Sequence, residues 1–137
     1  MSDTLSRLQT ALADRYDVDF PLIADMGANA VRLYAPVLTK AMLDKAWAEG
    51  LFVIPTFEVE SKNLECPEGK AYLQDRFADV VSRWKDHPAI LFWLVGNEFN
   101  TLLTSNDDYC HADTGWYPQL NALAGAAKAE DPSHPVG

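Results

Sequence analysis

Two polar residues, Asn97 and Glu98, end the strongly apolar segment AILFWLVG at positions 89–96. Partial desolvation beside a dry strand raises the pKa of a carboxyl group, which suits a general acid near neutral pH. The carboxamide of Asn97 has the donors and the acceptor to hold a hydroxyl group. The pattern predicts an acid/base role for Glu98 and a substrate contact for Asn97. A plain strand-ending turn followed by a loop glutamate remains open on spacing alone.

Similar polar and aromatic residues lie at the ends of two earlier segments: Arg32 and Tyr34 in NAVRLY (29–34), and Phe57 at the end of LFVIPTF (51–57) with Glu58 directly after it. Arg32 can pair with a carboxylate and keep it ionised, and Glu58, or Glu60 beyond it, could accept a hydrogen bond from a hydroxyl group. A sugar offers hydroxyl groups at its edges and C–H faces for stacking on aromatic rings. We therefore expect a carbohydrate substrate, bound by Asn97, Arg32, Tyr34, Glu58 and Trp116, with Phe57 and Tyr117 at the rim.

The elements that must position these residues alternate between helices and strands. Leucines at helical spacing predict a helix over 4–16, and DFPLIADMG (19–27) predicts a short helix that begins near Pro21 and ends at Gly27. Thr39 and Gly50 are typical of the start and the end of the next helix. Further helices are predicted over 70–85 and 117–129. The inward-facing positions of these helices are predicted to include Met42, Leu43, Ala46, Trp47, Phe77, Val80, Val81 and Trp84.

Three strands are predicted, over 29–34, 51–57 and 89–95, and the continuous apolar character of 51–57 indicates burial of that strand on both faces. Pro55 has no N–H group to donate, so regular pairing should weaken there. Alternation of helices with buried strands predicts an α/β fold with parallel strands side by side. The carboxyl ends of all three strands would then meet at one edge, where ligand sites of α/β proteins collect.

Composition excludes several classes of protein. The chain has 137 residues, a net charge of −9 and a pI near 4.6, which argues against nucleic acid and anionic membranes as partners. It contains no apolar stretch of membrane-spanning length, and MSDTLSRLQTALADR lacks the apolar core of a signal peptide, which favours a cytoplasmic location. The phosphate-binding patterns GxGxxG and GxxxxGK[ST] are absent, so a nucleotide-binding protein is not supported.

We predict neither a metal nor a cofactor. Asp108, Cys110, His111 and Asp113 cluster in DDYCHAD, but their spacing matches no recognised metal site. Cys66 and Cys110 are read as free thiols, although a disulfide between them remains an alternative in an exported protein. His87, before Pro88, is expected to cap the entry to the third strand.

The segment HPAILFWLVGNEFN (87–100) resembles the fourth-strand signature of the clan A glycoside hydrolases, retaining enzymes with a (β/α)8 barrel. In that clan an Asn-Glu pair ends the fourth strand and the Glu is the acid/base. MGANAVRLYAP resembles the second strand, whose Arg lies under the active site. LDKAWAEGLFVIPTF resembles the second helix and third strand, and AKAEDPSHPV the approach to the fifth strand. The resemblance covers about residues 19 to 136.

Within the clan, the chain is most similar to the family 2 barrel domain of β-galactosidase- and β-glucuronidase-like enzymes. It departs from that family where RLYAP replaces an Arg followed by a His and where FEVE replaces an Asp-Glu ending. The motifs Arg-Leu-Tyr and Gly-Asn-Glu-Phe-Asn also resemble sequences of the β-1,3-glucanosyltransferases. Transglycosylation therefore remains an alternative to hydrolysis.

The resemblance implies a partial TIM barrel, since a complete one needs about 250 residues. Residues 1–137 would form a single partial catalytic domain holding strands two to four, and 1–15 a helical extension outside the barrel. Glu98 would be the acid/base, and Arg32 would support a nucleophilic Glu that ends the seventh strand in the clan and has no counterpart here. A self-contained Glu58–Glu98 pair is the less favoured arrangement.

We therefore expect a retaining glycoside hydrolase whose isolated chain is inactive because the nucleophile is missing. The alternative is an inactive fragment that binds carbohydrate or serves assembly. Open sheet edges would favour self-association or a complementary barrel half as partner.

Overall fold

The computed structural model describes residues 15–34, 37–59, 67–97 and 116–137 and shows an α/β fold. Helix α1 covers residues 15–25, followed by β1 (Ala30–Tyr34), α2 (Lys40–Ala48), β2 (Phe52–Phe57), α3 (Pro67–Trp84), β3 (Leu94–Val95) and α4 (Trp116–Glu130). The strands are parallel and lie in the order β1-β2-β3. The predicted alternation and the side-by-side parallel strands are confirmed.

Helix α1 differs from the prediction, because it is already helical at Arg15 and carries Pro21 in its interior. A proline there leaves one carbonyl of the preceding turn without its helical donor, at a cost of about 3 kcal/mol. Phe20 offsets part of that cost, since it is only 2% exposed and its ring stacks on Tyr16 at 5.0 Å. Most of the helix predicted over 4–16 lies outside the described residues.

Helix α2 begins and ends where its local sequence predicts. The Thr39 Oγ1 accepts a hydrogen bond from the Met42 N–H at 3.2 Å, and Gly50 has the left-handed φ of 75° that follows many helix ends. Met42, Leu43 and Ala46 are buried as expected. Trp47 is the exception: it is half exposed and contacts the Phe52 ring edge-on at 5.7 Å, because it lies at the margin of the helix–sheet contact.

The pairing between β2 and β3 contains one extra residue on the β3 side. Val53 is bridged to Ile90, whereas Thr56 is paired with Leu94, so three steps along β2 match four along its partner. Val53 and Phe57 both make backbone hydrogen bonds toward β3. Pro55 lies two residues from each of them, so its backbone faces the same neighbour, but it has no N–H group to donate. The predicted weakening at Pro55 is confirmed on this side, and the strand predicted over 89–95 is reduced to Leu94–Val95. Pairing with β1 continues through Pro55.

The core lies between one face of the sheet and the helices. Val53, Phe77, Val81 and Leu123 are fully buried there, and the Phe57 ring stacks on Phe77 at 4.6 Å. Val80 and Trp84 pack against this core while partly buried. In the part of the chain that is described, no helix is long and apolar enough to cross a membrane.

A hydrogen-bonded cluster fixes the chain beyond α4 next to β3. Asp131, only 3% exposed, accepts hydrogen bonds from Trp93 Nε1 at 2.9 Å and from the backbone N–H groups of Ser133 and His134, and it contacts His134 Nδ1 at 2.6 Å. Burial by itself would raise the pKa of Asp131, but these hydrogen bonds outweigh it and lower the pKa to about 2. Val136 then forms a parallel bridge with Trp93.

Candidate functional site

The candidate site lies at the carboxyl-terminal edge of the sheet, on the face opposite the helices. The register pairs Tyr34 with Thr56, and Thr56 with Leu94, so these side chains share that face. Arg32 lies on the same face, two residues before Tyr34. The edge therefore brings together residues that are far apart in sequence.

A hydrogen-bonded relay joins the three strands at this edge. Arg32 Nε donates to Thr56 Oγ1 at 3.1 Å, and Arg32 Nη2 donates to Asn97 Oδ1 at 2.7 Å. Thr56 is 1% exposed, Asn97 is half-buried and Arg32 is exposed. The positive guanidinium thus lies over the strand ends, with a buried hydroxyl group on one side and a carboxamide on the other.

Gly96 directs the chain from β3 toward this relay. It has φ of 71°, a conformation that L-residues adopt only at a cost, and its N–H donates to the Phe57 carbonyl at 2.8 Å. The turn therefore ends the strand while remaining tied to β2. Asn97 follows directly and reaches Arg32. The backbone conformation at this position therefore favours glycine independently of any role in the site.

The other predicted site residues are only partly placed. Tyr34 is 62% exposed at the end of β1, and Glu58 is exposed just beyond β2. Trp116 is the first residue of α4. Glu98 and Glu60 lie outside the described residues, so the acid/base assignment and the Glu58–Glu98 pair stay predictions.

The residues considered for metal binding or capping lie elsewhere. Cys66, Cys110 and the Asp108–Asp113 cluster fall outside the described ranges, and within those ranges no group of three His, Cys, Asp or Glu side chains could hold a metal ion. His87 accepts a hydrogen bond from the Ala89 N–H at 3.2 Å, which confirms the predicted cap. Its Nε2 then carries the proton and donates to Asp44 of α2 at 3.1 Å.

Sequence reasoning missed Thr56 as a part of this site. One signal was present, because Thr56 is the polar residue in the otherwise apolar strand LFVIPTF. Its partner could not be identified without the register, since Arg32 is 24 positions away.

Comparison with known proteins assigns the chain to a family. Residues 9–137 match the model of the glycosyl hydrolases family 2, TIM barrel domain. The chain is 32% identical over 123 residues to a β-glucuronidase of Chlorocebus aethiops, covering 86% of this chain and 17% of that protein. It is 32% identical over 96 residues to a β-galactosidase of Alteromonas mediterranea, covering 64% of this chain and 8% of that protein.

The fold is shared with a solved structure. The crystal structure of a Bacteroides uniformis β-glucuronidase superimposes with a TM-score of 0.71 at 18% identity, covering 90% of this chain and 15% of that one. The present chain therefore spans a small part of the length of its relatives. The match of the family model over nearly all of its residues confirms the resemblance predicted from the strand motifs. The chain belongs to glycosyl hydrolase family 2 and represents part of its TIM barrel domain.

Proposed function

We propose that this chain supplies the acid/base side of a retaining glycoside hydrolase site. The observation that carries the proposal is the 2.7 Å contact between Arg32 Nη2 and Asn97 Oδ1 at the strand ends, one residue before Glu98. Membership of family 2 supports hydrolysis of O-glycosidic bonds as the reaction.

Each residue has a distinct role in the proposal. Asn97 donates a hydrogen bond from Nδ2 to a hydroxyl oxygen of the sugar, because its Oδ1 is occupied by Arg32. Glu98 protonates the glycosidic oxygen as the bond breaks and then removes a proton from the attacking water. Arg32 holds positive charge near the site of a nucleophilic carboxylate supplied by another part of the barrel. Tyr34, Glu58 and Trp116 form the rim for the sugar.

The substrate class follows from the relatives. Their names, β-glucuronidase and β-galactosidase, make β-glucuronides and β-galactosides the first substrates to test. Both are pyranosides that offer ring hydroxyl groups to Asn97 and Glu58 and apolar C–H faces to aromatic side chains.

Sugar binding by the isolated chain tests the proposal. Titration with phenyl β-glucuronide and phenyl β-galactoside, followed by NMR shifts, is expected to perturb Asn97, and Asn97→Ala should weaken binding by about tenfold, the factor expected when one polar partner is lost. Asn121→Ala, at an exposed position of α4, is the matched control. Equal affinity of both variants would contradict the role of Asn97.

Hydrolysis by the isolated chain tests whether the two catalytic carboxyl groups are divided between this chain and another part of the barrel. We expect no turnover of aryl β-glycosides above the uncatalysed rate, because retaining chemistry needs a second carboxyl group about 5 to 5.5 Å from the first. Robust turnover by the purified chain that is abolished by Glu98→Gln would show that both carboxylates lie within it.

Assembly with complementary β/α units is the second candidate function, and an exposed apolar row along α1 and the turn after it favours it. Val18 and Leu22 lie on α1 and Met26 directly follows it; the three recur every four residues and are 59%, 58% and 82% exposed. In the described sheet β1 has β2 as its paired neighbour, so its other side is an edge. A parallel strand and helix packed beside β1 would cover both features, as in a barrel.

Oligomeric state tests this second proposal. Light scattering on the purified chain should show self-association, and Leu22→Glu should shift it toward monomer. Tyr72→Glu adds the same charge at a side chain of similar exposure on α3 and should leave association unchanged. A chain that stays monomeric at every concentration would contradict the need for a covering partner.

A further inference from the structure

We propose that Thr56 is a positioning residue, whose hydroxyl group orients Arg32 and thereby fixes the carboxamide of Asn97. The relay itself does not depend on the proposed function. Its consequence for substrate, that Asn97 faces the sugar as a donor, does rest on that function.

The first argument is the geometry of the guanidinium group. Nε and Nη2 are the two nitrogens of one rigid, planar edge. One of them donates to Thr56 at 3.1 Å and the other to Asn97 at 2.7 Å. Because the two donors move as one body, the bond to Thr56 restricts where the bond to Asn97 can point.

The second argument is the difference in burial along the relay. Thr56 is 1% exposed and lies in the central strand, paired on both sides with Tyr34 and Leu94. Arg32 is a long, exposed side chain with many rotamers, which loses conformational entropy when it is held in one of them. The buried hydroxyl group therefore has a fixed position, and its hydrogen bond restricts the conformation of the exposed arginine.

The third argument concerns the direction in which Asn97 presents its amide. Arginine has donors and no acceptor, so the atom of Asn97 facing it must be the carbonyl oxygen. The Nδ2 group then points away from Arg32, and under the proposed function its two N–H donors face the ligand oxygen. A rotated carboxamide would place donors against donors, so the relay selects one of two otherwise similar orientations.

Thr56→Val separates this role from simple packing, because valine keeps the shape and removes the oxygen. In the ¹⁵N-labelled chain, the Arg32 Nε–H group should exchange with water about 2- to 10-fold faster in Thr56→Val, which is the factor that one net hydrogen bond provides. The chemical-shift difference between the two Asn97 Nδ2–H resonances should shrink, because the carboxamide is no longer held in one orientation. Thr56→Ser retains the hydroxyl group and should restore both signals.

Thr39→Val is the matched control. It deletes a hydroxyl group that caps α2 and so destabilises the fold without touching the relay. Its Arg32 and Asn97 signals should equal those of the unmodified chain. Equal signals in Thr56→Val and Thr39→Val, with both folded, would overturn the proposal.

Arg32→Lys keeps the test decisive if the valine variant fails to fold. Lysine retains the charge at an exposed position but cannot span Thr56 and Asn97 with one planar edge. The Asn97 side-chain amide should become mobile in this variant, and an Asn97 amide as ordered as before would overturn the proposal. Sugar affinity is measured in parallel: failure of the unmodified chain to bind sugar would count against the proposed function alone.

Discussion

At the scale of single residues, two side chains owe their orientation to donors that surround them. Asn97 has its oxygen fixed by Arg32, and Asp131 has both carboxylate oxygens occupied by the Trp93 ring, two backbone N–H groups and His134. The first contact is at an exposed edge and orients a group for binding. The second is buried and holds two segments together, so the two should respond differently to substitution.

Asn97→Asp should separate stability from binding. The new carboxylate would accept from Arg32 as an exposed ion pair, worth at most about 1 kcal/mol, so thermal unfolding should stay the same or rise slightly. Sugar binding should fall about tenfold or more, because the Nδ2 donors are gone. Asn121→Asp serves as the control, and unchanged sugar affinity in Asn97→Asp would contradict the donor role.

Asp131 should make the fold sensitive to acid. Its folded-state pKa of about 2 is below the usual 3.8, so its ionised form stabilises the fold above about pH 4, and that contribution is lost as the pH falls toward 2. The contribution amounts to about 1 to 2 kcal/mol. Urea unfolding at pH 7, 4 and 2.5 should show this loss.

Asp131→Asn should remove that pH dependence and lower stability at neutral pH. Asp25→Asn, at an exposed position at the end of α1, should retain the acid response of the unmodified chain. An identical pH response in Asp131→Asn and the unmodified chain would argue against this role of the carboxylate.

At the scale of the elements, the ends of strands and helices determine where the site residues lie. Gly50 ends α2 and Gly96 ends β3, with φ of 75° and 71°. Both glycines permit a left-handed turn, but Gly96 alone is followed by a side chain of the relay. Backbone geometry and site geometry are thus coupled at one of the two positions.

Gly96→Ala and Gly50→Ala form a matched pair. Each should cost about 1 to 2 kcal/mol in the free energy of unfolding, because alanine is disfavoured at positive φ. Only Gly96→Ala should also shift the Asn97 and Arg32 signals and weaken sugar binding. Equal effects of both variants on binding would show that the turn at Gly96 has no special influence on Asn97.

The elements themselves were largely predictable, because their signals are local. The cap at Thr39, the glycine after α2 and the apolar strands can all be read over a few neighbouring residues, and so can the weak pairing at Pro55. The extra residue between Ile90 and Leu94 could not, since it exists only relative to β2. The contact of Thr56 with Arg32 could not be predicted either, because it too depends on the register between two strands.

At the scale of the whole molecule, one sheet face is closed by helices and the other carries the site. Phe77 is fully buried on the closed side and stacks on Phe57, whose carbonyl accepts from Gly96. The core therefore reaches to within one hydrogen bond of the turn before Asn97. Loss of packing there should affect both stability and the site.

Phe77→Ala should lower the free energy of unfolding by about 3 to 5 kcal/mol, since it removes a buried aromatic ring and leaves a cavity. Urea denaturation measures this, and the half-buried Phe52 provides the control, because Phe52→Ala should cost clearly less. Equal losses in the two variants would contradict the core assignment of Phe77.

The extra residue between Ile90 and Leu94, just before β3, changes which face of the sheet the following side chains occupy. Ile90 shares a face with Val53, and strict alternation would put Leu94 on that face as well. The pairing of Leu94 with Thr56 puts it on the other one. The chain thus inverts its inside-outside alternation between the two pairs, which lets Trp93 reach Asp131 among the helices. A substitution in this short interval changes one side chain, whereas deletion of one residue would leave three steps on each strand, so that Leu94 would keep its facing by strict alternation and the inversion before Asn97 would be lost.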